Sequence, residues 1–129
     1  MKLKYITRLF IILLLMASAS FVQSQTPATD YQKIIGRWVR SDGGYVLDLK
    51  KVRFDGSVEV AYFNPDPINV SRAEAKAQDG EIYLYVELQD VGYPGSNYKL
   101  MYKPKIDSLI GIYHHAGIKQ DFDVLFAKE

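Results

Sequence analysis

Cysteine is absent from all 129 residues, which removes thiol nucleophiles, disulfides and every cysteine-bearing metal site at once. Stability must therefore come from packing. Histidine occurs twice, as the adjacent pair His114 and His115. Neighbouring residues on a strand point to opposite faces, so the pair cannot chelate one ion together, and no metal is expected. Charge of one sign is not concentrated anywhere: 16 Lys and Arg stand against 15 Asp and Glu. That balance speaks against nucleic acid or an anionic membrane surface as the partner. A phosphate-cradling glycine loop is missing. Gly95-Ser96-Asn97 lacks the second glycine and the strand-to-helix elbow of a hydrolase. Glu87 and Asp90 fall on the outer face or end of a strand, away from the buried pairs that acid–base catalysis uses. The expectation is a non-enzyme without a cofactor.

Long apolar runs are also lacking. Leu9–Ala17 is nine residues and would cross only about half of the hydrocarbon core. Lys2, Lys4 and Arg8 precede it, and the small polar stretch Ser18–Ser24 follows. This is the layout of a secretory signal peptide, residues 1–24. Cleavage after Ala17-Ser18-Ala19 is an alternative to Val22-Gln23-Ser24; the second is favoured and leaves Gln25 first. Without a cysteine behind the run, no lipoprotein anchor is expected. The leader takes three basic residues with it, leaving 13 basic against 15 acidic, a net charge of −2. A periplasmic or extracellular protein with no stable membrane insertion is expected.

What the chain does have is period two. After an N-terminal lead, residues 25–35, in which Tyr31–Ile35 suits one helical turn, residues 36–129 read as a single domain. Val58, Val60 and Tyr62 alternate with Glu59, Ala61 and Phe63; Tyr98, Leu100 and Tyr102 alternate with Lys99, Met101 and Lys103. Ten tyrosines and many valines suit strands. Strands are expected near 36–41, 44–54, 57–64, 69–78, 81–90, 97–103, 108–115 and 120–127. In 81–90, Ile82, Leu84, Val86 and Leu88 face inward, while Tyr83 and Tyr85 lie outside. Each strand has one apolar face, and closure buries all of them without leaving edges. The predicted fold is all-β, an eight-stranded antiparallel up-and-down barrel.

Its connections alternate in length. Ser41–Gly44, Asn64–Asn69, Val91–Asn97 and Ala116–Lys119 are long and polar, whereas Asp55-Gly56, Asp79-Gly80 and Pro104–Asp107 are tight. In a meander every second connection lies at the same end, so one rim is elaborated. Arg40, Tyr62, Asn64, Asp66, Tyr93, Asn97, Tyr113 and His115 are the candidate ligand-binding residues there. Trp38 is the candidate plug of the opposite end.

Gly36-Arg37-Trp38, at the head of the first strand, resembles the Gly-x-Trp opening of calycins, the lipocalin and avidin group of barrels. Val58–Tyr62 and Leu109–Tyr113 look like avidin-type strands ending in an inward Tyr. The resemblance implies a calycin-like barrel, with Tyr113 and therefore His115 facing the lumen. Two departures limit it. Lipocalins commonly stack an Arg from the last strand over the Trp, where only Lys128 is available, and avidins carry further tryptophans around biotin. Biotin binding is not carried over. The chain also resembles an uncharacterised set of small exported bacterial proteins with Asn-Pro-x-Pro-Ile and Tyr-Pro-Gly-Ser segments. The functional expectation is a small or extended ligand held at the loop-rich end. Its alternative is a filled barrel acting as an interaction module for another envelope protein.

Overall fold

The structure is a computed structural model that describes residues 20, 30–91 and 94–129. Apart from Ser20, the expected signal peptide lies outside the described residues. A short 3₁₀ turn, Tyr31–Ile34, leads into β1 (Gly36–Arg40), β2 (Val46–Val52), β3 (Val58–Phe63), β4 (Pro67–Ile68), β5 (Val70–Gln78), β6 (Glu81–Leu88), β7 (Asn97–Lys103), β8 (Ser108–His115) and β9 (Gln120–Lys128). These form one antiparallel sheet in the order β4-β3-β2-β1-β9-β8-β7-β6-β5. Strand β1 pairs with both β2 and β9, and the sheet curls into a nearly closed barrel.

The described residues hold nine strands, not the expected eight. The addition is β4, inside the Asn64–Asn69 segment that reads as a loop. Its turn is tight, with the Asn64 N–H donating to the Asp66 carbonyl at 2.9 Å. The chain then returns immediately, pairing Pro67 with Phe63 and Ile68 with Tyr62. Pro67 has no N–H to give, which suits it to an edge. Asn69 breaks the strand before β5 begins, and the register against β6 slips between Val70 and Arg72.

Closure is completed lower down, where Ser57 bridges to Glu74 and the Ala75 N–H donates to the Gly56 carbonyl at 2.7 Å. Gly56 has φ 89°, and a Cβ there would lie 2.8 Å from the Ala75 carbonyl oxygen. Only glycine allows that approach.

Alternation places the core. Leu47 and Leu49 of β2, Leu84, Val86 and Leu88 of β6, Tyr98 and Leu100 of β7, and Val124 and Phe126 of β9 are all buried. Ala73 and Ala75 face inward from β5, their small side chains leaving room for the large aromatics of the interior. At the floor Trp38 is fully buried and donates its indole N–H to the Ile34 carbonyl at 2.9 Å, which ties the 3₁₀ turn beneath the barrel. The Lys128 ammonium stands 5.2 Å from the centre of the Trp38 ring, in cation–π range. This all-β barrel, floored by Trp38, is compatible with a calycin-like fold.

Candidate functional site

Strands β1, β3, β6 and β8 all finish at the rim opposite Trp38. Arg40 ends β1, two residues beyond Trp38 and therefore on the same inward face, opposite Phe126 of β9. It is 9% exposed, unusual for a cation, and its guanidinium is engaged on several sides. Nη2 donates to Asp42 Oδ2 at 2.8 Å and Nε to the other carboxylate oxygen. Nη1 donates to the Tyr98 hydroxyl at 3.1 Å, and Tyr98 shares a 2.7 Å hydrogen bond with the Tyr62 hydroxyl. The Tyr45 ring covers the guanidinium at 4.2 Å and lies nearly parallel to the Tyr62 ring. A polar chain thus runs from the exposed Asp42 carboxylate down into the aromatic interior.

Each member of that chain titrates accordingly. The hydrogen bonds to Asp42 hold Arg40 above its ordinary value, against the opposing effect of burial. The same contact keeps the Asp42 carboxyl below the usual carboxylate range. Burial is the main reason both phenols are raised. Tyr98 reaches about 12, held there because the Tyr62 and Arg40 hydrogen bonds favour its phenolate, while Tyr62 is pushed further.

Above this layer lies a cavity of about 230 Å³ lined by Arg40, Tyr45, Asn64, Tyr113, His115 and Phe122. Tyr113 is its hub. The ring packs on Tyr98 at 4.7 Å, on the cross-strand neighbour Phe122 at 6.4 Å, and against the His115 ring at 6.1 Å. The guanidinium of Arg40 is 5.5 Å from its centre. His115 Nδ1 accepts from the Ile118 N–H at 3.3 Å, fixing the imidazole against the β8–β9 loop. The wall offers ring faces and hydrogen-bonding groups, which is the chemistry of binding.

The cavity brings together four of the residues singled out from sequence: Arg40, Asn64, Tyr113 and His115. Tyr62 lies directly beneath, sealed in the core at 1% exposure. Asp66 stands exposed in the β3–β4 turn, away from the cavity wall. Asn97 precedes the inward Tyr98, so its side chain points to the outer face, where Nδ2 donates to the Gly95 carbonyl at 3.1 Å. Tyr93 lies outside the described residues. His114 faces out as well, its Nδ1 2.6 Å from an Asp121 oxygen.

Sequence reasoning passed over Tyr45 and Phe122, although the signal was present. Tyr45 continues the inward series of Leu47 and Leu49, and Phe122 that of Val124 and Phe126. Both sit at the rim end of their strands. Ser96, of the Gly95-Ser96-Asn97 stretch, is fully buried; its hydroxyl accepts from the Ala116 N–H at 3.0 Å and joins two rim loops.

No family model, curated protein or solved structure matches this chain. The rim geometry is therefore what a functional reading rests on.

Proposed function

We propose that this protein is an exported, non-enzymatic barrel that holds a small ligand in the rim cavity above a filled interior. The observation that carries this reading is the cavity wall itself. Three aromatic rings, a buried guanidinium, an imidazole and an amide converge on one space of about 230 Å³ at the loop-rich end. The interior below is occupied by Trp38, Tyr62, Tyr98 and Phe126, so the ligand seat is shallow rather than lumenal. Mass spectrometry of small molecules released from the purified native protein tests it. A ligand should be recovered from the wild type and depleted about tenfold from a His115→Ala, Phe122→Ala double variant of unchanged melting temperature. Equal recovery from both proteins would sink the rim reading.

A second reading, an interaction module of the bacterial envelope, draws support from the outer face. There a groove of about 450 Å³ runs over β5–β8 between Tyr83, Tyr85, Met101 and Ile110. Pull-down with a Tyr83→Glu, Met101→Glu variant separates the two readings, since rim binding is indifferent to those changes.

A further inference from the structure

We propose that the rim cavity selects an uncharged ring carrying oxygen acceptors on its edge, such as a sugar ring or an aromatic amide, and that Asp42 enforces the choice as a resident counter-anion. This rests on the reading of the cavity as the ligand seat. Arg40 is the charged member of the cavity wall, and its charge is already answered. Asp42 takes two of its five N–H donors and Tyr98 a third, leaving two for a guest. An incoming carboxylate must either displace a bidentate partner or crowd a second negative charge onto the same guanidinium. Both are costly where one partner is buried. An incoming cation fares no better. The faces of Tyr45 and Tyr113 that would attract it lie 4.2 and 5.5 Å from the Arg40 cation, and like charges repel.

What remains favours a neutral guest. The rings of Tyr45, Tyr113 and Phe122 offer apolar faces to a flat or chair-shaped body. His115 Nδ1 is occupied as an acceptor by the Ile118 N–H, so the neutral imidazole carries its proton on Nε2 and donates from there. With two N–H groups left on Arg40, the edge chemistry is rich in donors and calls for oxygen acceptors. Pockets for drug-sized ligands span roughly 300–1,000 Å³; at about 230 Å³ this one suits a single ring.

Shape-matched pairs test the proposal by NMR titration: benzamide against benzoate, and glucuronamide against glucuronate. In the wild type at least one neutral member should bind about tenfold more tightly than its anion, with shifts centred on Tyr113, His115 and Phe122. Asp42→Asn should reverse the order by freeing the guanidinium for the carboxylate, while Asp42→Glu, which retains the counter-anion, should keep it. Folding of each variant is read from Trp38 fluorescence. If Asp42→Asn does not fold, the wild-type and Asp42→Glu rankings decide. Anions bound at the rim as tightly as their neutral partners would overturn the selectivity and leave the site standing. An unchanged order in folded Asp42→Asn would remove Asp42 from the account. No shift at those three residues with any probe at millimolar concentration would overturn the site and the selectivity together.

Discussion

The Tyr98 hydroxyl joins a buried cation to a buried phenol, so its removal strands both partners. Tyr98→Phe should destabilise the protein by about 1–3 kcal/mol, the cost of leaving buried polar groups unpaired. Tyr62→Phe removes only the end of the chain and should cost less. In urea denaturation the double variant should fall short of the sum, because the two hydroxyls share one hydrogen bond. The same residue sets an alkaline limit. A phenol held at about 12 in the fold and near 10 when unfolded stabilises the protein fully below pH 10 and loses that contribution as pH rises toward 12. The loss is on the order of 3 kcal/mol. Stability measured from pH 9 to 12 should therefore fall steeply, and less steeply in Tyr98→Phe. At the other extreme the Arg40–Asp42 pair persists above the ordinary aspartate value. It fails only as pH drops through the depressed value of Asp42 in the fold.

Strands show where local pattern suffices and where it does not. The inward Leu84, Val86 and Leu88 and the outward Tyr83 and Tyr85 were legible because period two is a property of each strand alone. The Asp79-Gly80 hairpin was legible because both residues adopt positive φ, as a type I′ turn requires. The β4 strand was not, because Asn, Asp and Pro are good loop formers and only the immediate return of the chain onto Tyr62 and Phe63 makes Pro67–Ile68 a strand. Half of the candidate site was legible. Arg40 follows from ending the first strand at the rim, and Tyr113 with His115 from the resemblance to avidin-type strands, whereas the outward turn of Asn97 depends on counting back from Tyr98. Gly111 carries a constraint that no turn signal announces: a Cβ there would stand 1.9 Å from the Lys99 carbonyl oxygen of β7. Gly111→Ala should force β7 and β8 apart and cost about 1–3 kcal/mol or more, read as a lowered urea midpoint. Gly80→Ala meets open space but strains a backbone held at φ 77°, and should cost about 1 kcal/mol, less than Gly111→Ala.

Across the whole molecule, the two ends divide labour. Trp38 anchors the floor, and Trp38→Ala should cost about 3–5 kcal/mol, seen as a large drop in melting temperature. The half-exposed rim positions His115 and Phe122 should tolerate alanine with little change. A comparable drop at both ends would contradict the division.

The joint between β3 and the β4–β5 arm works differently from the rest of the wall. It is fastened at Phe63 and Pro67 above and at Gly56 and Ala75 below, with no continuous ladder along Val58–Ala61 among the described residues. A garment buttoned only at collar and hem gapes between. The wall should breathe along this slit, so that amides of β3 exchange with solvent sooner than those of β8, which is laced on both sides. Loosening the lower button at Gly56 should widen the gap before the barrel as a whole comes undone.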